Sequence, residues 1–347
     1  MQKRSVNSGR FFISEFYVTF ALFPLRYFLP MFQTPIEIPK SPFSISYEDR
    51  ILTLGSCFAG NVGRKLQDVY FDTDVNPFGV LYNPVSIQNS IELLLQQKTF
   101  TKEDVFEHNL LWQSFSHSSL FTDISAEGCL DKINFRMNQA IELFKKADIL
   151  LITFGTAWVF EEKKSGKVVS NCHKLPAANF TRRRLEVAEI VDAFNCLICN
   201  LLNRNSELQI ILSVSPIRHW KDGAAENSVS KGTLLLAVNE LQEQFANVHY
   251  FPAYEIQMDE LRDYRFYAPD MLHPSDVAVD YIWEKFCQTY FDQQTLKIKK
   301  NLEQLSADLA HRPLHPESEE FQKFRIGIEK KKTELIKKYP FLEKRLK

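Results

Sequence analysis

The sequence predicts a three-layer α/β fold built on a parallel sheet. Three observations carry this expectation. Four short apolar runs each end in a turn-forming residue: "RILTLG" (50–55), "DILLITFG" (148–155), "LQIILSVSP" (208–216) and "NVHYFPAYE" (247–255). Helical stripes separate them, and strand and helix alternate in chain order. Runs without polar alternation belong to strands buried on both faces, as in parallel sheets.

The first run leads into "CFAGNVGRKLQDV", where Phe58, Val62, Leu66 and Val69 recur at helical spacing. A proline-rich loop, "NPFGVLYNPVS", and then helices fill 76–147. After the second run, "AWVFEEKKSGKVVSNCHKLPAANF" (157–180) reads as an insertion with a hairpin at Ser165-Gly166. Residues 181–204 carry one apolar stripe from Val187 to Leu202, and 227–246 read the same way. In "FYAPDMLHPSDVAVDYIWEKF" a loop precedes a helix whose inner stripe holds Ala278, Tyr281, Ile282 and Phe286. Over residues 292–347 there are 14 Lys/Arg against 9 Asp/Glu, and "HRPLHPESEE" divides this charged extension into two helical segments. The expected organisation is an N-terminal extension outside the fold (1–30), a domain over 31–291 and a helical C-terminal extension (292–347).

The first 30 residues begin basic and turn apolar, but their apolar piece is short for a membrane span and no small-residue cleavage pattern follows. We expect no stable membrane anchor there, with a signal anchor as the alternative. A formal net charge of −1 gives no argument for a nucleic-acid partner. The six cysteines form no disulfide framework, and Cys196 and Cys199 lie inside a helical run rather than at a turn, so a reducing, cytoplasmic setting is expected.

The chemistry-bearing residues gather at the expected carboxyl ends of the strands, where open parallel sheets bind ligands. Ser56 follows the first strand and opens a helix, whose free N–H groups stabilise an anion. The serine is a candidate nucleophile there, its own N–H helping to hold an oxyanion; a simple helix cap is the plainer alternative. Asp270 and His273 stand three apart in a loop after the last strand, with Pro274 keeping His273 out of helical geometry. Such a turn lets the carboxylate hold one ring nitrogen and leaves the other for a serine. Cys57 is expected to face the core. His173 and His219, beside Lys174 and Arg218, are candidate substrate contacts, as is Trp158 in "FGTAW". No spacing motif supports a metal site from Cys172, His173 and His219. Leu54 and Phe58 occupy the glycine positions of a G-x-S-x-G elbow, and neither a P-loop nor a dinucleotide glycine motif is present.

Six segments, "GSCFA" (55–59), "NPFGVLYNP" (76–84), "FGTAWVF" (154–160), "NCHK" (171–174), "SPIRHWKDG" (215–223) and "YRFYAPDMLHPSDVAVDYIWEKF" (264–286), resemble the GSCFA-domain family. That family stands near the SGNH/GDSL hydrolases, flavodoxin-like esterases and lipases. The resemblance implies a flavodoxin-like sheet, Ser56 as nucleophile, and Asp270 with His273 as its partners. It matches Gly79 to an oxyanion donor. No asparagine stands in "GTAW" where that family's third donor belongs, and Thr156 or Asn171 is the substitute expected. The reading is a cofactor-free serine esterase acting on an O-acyl group of a carbohydrate or small metabolite. An acyltransferase with the same triad, or a non-catalytic glycan- or anion-binding domain, are the alternatives.

Overall fold

A computed structural model of the chain describes residues 34–312, 315 and 317–346. The expected N-terminal extension lies outside the described residues.

Five parallel strands form the central sheet: β1 (Arg50–Gly55), β2 (Asp72–Val75), β5 (Ile149–Phe154), β9 (Gln209–Val214) and β10 (Val248–Phe251). They lie in the order β10-β9-β5-β1-β2. Counted along the chain, this places the second strand outside the first, a flavodoxin-type doubly wound order. The connections reverse direction between β1 and β5, and the crevice outside their carboxyl ends is where such sheets take ligands.

Side chains alternate across each strand with period two. Leu52, Leu54, Leu150, Ile152, Ile210 and Leu212 enter one core. It is covered by α2 (Pro84–Leu95), α3 (Ala126–Phe144), α4 (Val187–Arg204) and α5 (Gly223–Gln244). Ile51, Ile149, Leu151, Ile211 and Phe251 enter the other. That face carries α1 (Cys57–Asp68), the short turn α6 (Ala253–Glu255) running into a π-helical turn, and α7 (Asp276–Tyr290). The C-terminal helices α8 (Gln293–Ala310), α9 (Glu319–Lys338) and α10 (Leu342–Arg345) belong to this second core. Leu302, Leu305, Leu335 and Leu342 are buried in it, Tyr47 stacks between Phe71 and Phe341, and Arg345 donates to the Tyr47 carbonyl at 2.9 Å.

Two insertions rise from the sheet. Between α2 and α3 stands a short hairpin, β3 (Phe106–His108) with β4 (Leu111–Gln113). After β5 comes an antiparallel three-stranded sheet of β6 (Trp158–Glu162), β7 (Val168–Val169) and β8 (Phe180–Arg184). Its hairpin turns at Gly166, as expected, with φ of +67°. Residues 181–184, the start of the expected 181–204 helical stretch, belong instead to β8: all five residues of "FTRRR" (180–184) pair with β6, and Val187 is the first helical residue.

Gly55 ends β1 at φ +131°, and a Cβ there would stand 2.2 Å from the Thr153 carbonyl oxygen of β5. Backbone strain and a backbone clash coincide at this position. Gly55→Ala is expected to lower unfolding free energy by about 3 kcal/mol or more in urea titration. Gly166→Ala, with nothing within 4 Å of its added carbon, is expected to cost about 1 kcal/mol.

Candidate active site

The turn after β1 sets the first part of the site. Ser56 is the N-cap of α1, its Oγ accepting from Phe58 N–H at 3.3 Å. Asn76 Oδ1 takes the Gly55 N–H at 2.9 Å, and the Gly55 carbonyl takes the Leu81 N–H at 2.9 Å. These bonds tie the 76–84 segment to the serine turn. Asn83 then caps α2, its Oδ1 accepting from Ser86 N–H at 2.8 Å.

The second part is a loop in front of α7. Ala268 N–H donates to the His273 carbonyl at 2.8 Å and Ser275 N–H to Phe266 at 2.9 Å, closing 266–275 into a narrow hairpin. Inside it Asp270 Oδ1 accepts from the amides of Leu272 and His273, each at 2.9 Å. Asp270 Oδ2 lies 2.5 Å from His273 Nδ1. The His273 and Leu272 amides, with the His273 ring, hold the Asp270 carboxyl down at about 2, so it is anionic throughout the neutral range.

Both parts open on one cavity of about 960 Å³, lined by Ser56 and His273 together. Ser56 is 1% exposed at its edge. No hydrogen bond joins Ser56 Oγ to His273 Nε2 among the described residues. Asn83, Thr156, Trp158, Asn171, Arg218 and His219 line the same cavity.

Several expected roles change on inspection of these bonds. The Ser56 N–H donates to the Thr153 carbonyl at 3.1 Å, and the Gly79 N–H donates to Asn76 at 2.8 Å. Gly79 faces Ser118, whose Oγ would stand 1.9 Å from an added Cβ, and it is not part of the cavity wall. Thr156 gives its N–H to the Tyr82 carbonyl at 2.9 Å and shares its hydroxyl with Ser230 at 3.0 Å. Asn171 spans Ser119 Oγ and the His173 N–H. His173 is buried away from the cavity, its Nε2 2.7 Å from the Ser114 carbonyl. Cys57 lines the cavity instead of the core, its Sγ 4.0 Å from the Tyr82 hydroxyl.

Two residues that the sequence reading missed are built into the site. Asn83 is 6% exposed and lines the cavity; with Oδ1 committed to the α2 cap, its Nδ2 is the end left to meet a ligand. Lys231 is buried beneath the cavity floor and donates 2.7 Å bonds to the carbonyls of Gly155 and Ser215, just past the ends of β5 and β9. Burial, helped by the nearby Arg218 charge, lowers the Lys231 ammonium to about 7. Its signal in the sequence is a lysine on the inner stripe of α5 with Asn227, Leu234 and Leu241.

Comparison with known proteins follows the same residues. A profile described as the GSCFA family matches residues 50–286, and one described as the GSCFA domain protein, C-terminal domain, matches 302–345. The chain belongs to the GSCFA family. A solved acetyl xylan esterase (Est2A) from the rumen bacterium Butyrivibrio proteoclasticus aligns at 13% identity with a TM-score of 0.33. That alignment covers 70% of this chain and 65% of the esterase, less than two thirds of its length. No curated protein matches the chain. Among the described residues no helix is long and apolar enough to cross a membrane.

The GSCFA chain also keeps buried histidines near the site. His117 lies among Phe78, Phe100 and Phe121, and its burial lowers it to about 3; burial likewise takes His219 to about 4. Between these values and the ordinary value near 6.5 the unfolded chain binds protons that the folded chain refuses. Stability is therefore expected to fall as pH drops from 7 toward 4. Thermal unfolding followed across that range checks this. His117→Phe should remove about 2 kcal/mol of the difference between pH 7 and pH 5.

Proposed function

We propose that this GSCFA protein is a serine esterase that cleaves an O-acyl ester through Ser56, His273 and Asp270. The observation that carries the reading is the Asp270–His273 pair, a carboxylate fixed by two backbone amides and set 2.5 Å from ring Nδ1, on a cavity that Ser56 also lines. A carboxylate so held stabilises the Nδ1–H tautomer, which leaves Nε2 as a base.

Ser56 Oγ attacks the acyl carbon while its proton passes to His273 Nε2. The oxyanion forms against Asn83 Nδ2 and the positive end of α1. His273 then gives the proton to the leaving alcohol oxygen, and the acyl group stays on Ser56. Water, deprotonated by His273, attacks the acyl carbon and releases the carboxylic acid and free serine. Transfer of that proton requires Ser56 Oγ and His273 Nε2 to come within hydrogen-bond reach when substrate binds, since catalytic hydrogen bonds are often long without ligand. Asn83 takes the place of the donors first expected at Gly79, Thr156 and Asn171, whose polar groups serve the protein itself.

Labelling with a fluorophosphonate probe and kinetics on acetylated sugars test the reading. Ser56→Ala is expected to abolish labelling and to lower kcat/KM by about 10³-fold or more with the fold intact by circular dichroism. Asp270→Asn should cost about 10²- to 10⁴-fold, and Asn83→Ala about 10²-fold in kcat. Cys57→Ala should keep both labelling and most of the rate. An unlabelled wild-type serine would reject the esterase in favour of a binding domain. Acyl transfer would appear as a new ester when a second alcohol is added.

A further inference from the structure

The cavity is far from charge-neutral. Arg182, Arg218 and Lys221 line it, and Asp222 is the one carboxylate in its wall among the described residues. Asp222 is already bound by the Arg182 guanidinium in a two-point contact, with Arg182 lying over the Trp158 ring at 4.5 Å. Arg218 has no such partner. No salt bridge or hydrogen bond is made by its guanidinium among the described residues, and its Nε is buried without an acceptor.

The surroundings of Arg218 hold it in place rather than neutralise it. Its guanidinium lies 4.8 Å from the Trp220 ring centre. It also borders a second cavity of about 500 Å³, whose carboxylates Asp263 and Asp270 are committed to Arg265 and His273. Two further buried polar atoms in the wall of the first cavity, Trp158 Nε1 and His219 Nε2, lack partners. A half-buried guanidinium with an orphaned N–H is costly unless an acceptor arrives, and planar guanidinium geometry matches carboxylate and phosphate oxygens.

We infer that Arg218 is the anchor for an anionic group on the ligand, so that the cavity takes an ester bearing a carboxylate or phosphate, its body lying along the Trp158 and Trp220 walls. The inference rests on the esterase reading only for the word ester; the anion site stands on its own geometry. Carboxylate and phosphate share the recognising chemistry, and the test separates them.

Calorimetry on the full chain carrying Ser56→Ala, which holds ligands without cleaving them, compares methyl glucuronide, methyl glucoside 6-phosphate and methyl glucoside. At least one anionic glycoside is expected to bind about tenfold or more tightly than the neutral one, and the tighter of the two identifies the group. Adding Arg218→Gln should erase that difference. Arg218→Lys, which keeps the charge but loses the two-point geometry, should retain part of it and serves if the glutamine variant does not fold. With Ser56 present, an acetylated methyl glucuronide should be preferred over an acetylated methyl glucoside by a similar factor, chiefly through KM. Equal binding of all three glycosides, or an anion preference unchanged in a folded Arg218 variant, overturns the inference. Anion-selective binding with no ester cleaved supports it and rejects the esterase; cleavage of neutral and anionic esters at equal rates does the reverse.

Discussion

The close approach of β1 to β5 at Gly55 is the constraint on which the rest of the site depends. Only a residue without Cβ fits against the Thr153 carbonyl at that backbone conformation. The chain can therefore end its strand, donate the Ser56 amide to that carbonyl, and start α1 at once. The same turn recruits the following loop: Asn76 holds the Gly55 amide and Leu81 holds its carbonyl. Asn83 follows two residues later. Serine and asparagine thus reach one cavity because a single backbone contact fixes where both segments leave the sheet.

A second set of bonds, from α5, carries the floor. Lys231 satisfies the carbonyls of Gly155 and Ser215, while Ser230 receives the Ala157 N–H at 2.8 Å and meets the Thr156 hydroxyl. Strand ends in a parallel sheet leave carbonyls without a ladder partner, and burying them unpaired would be costly. A buried ammonium answers two of them together. The adjacent β6–β8 sheet enters the fold through this floor, at Thr156 and Ala157.

Where the sequence was legible, and where it was not, has physical causes. The strands β1, β5, β9 and β10 were plain because burial on both faces leaves continuous apolar runs. The strand β2, "DTDV", lies at the sheet edge and its polar side chains hide it. The arginines of β8 look like a helix approach, yet they line an antiparallel ribbon and pair with Asp222, Glu161 and Glu226. The Asp270–His273 turn was legible because its bonds are local, spanning three residues. Asn83 and Lys231 were not, since their partners lie in other segments that only folding brings near. His173 was misread for the same reason: its ring answers Ser114, 59 residues away.

The two sides of the cavity belong to structural units of different kinds. Ser56 directly follows the central strand β1, beside a Gly55 whose backbone leaves no room for a Cβ against β5. Trp158, Phe160 and Arg182 sit on the β6–β8 ribbon, a separate hairpin-like graft inserted between β5 and α4. One part behaves as a chassis and the other as an exchangeable faceplate. What the cavity admits can thus be altered at the exposed ribbon positions that face it, while Ala157, Arg182 and Arg184 remain bound to Ser230, Asp222 and Glu226 outside the ribbon.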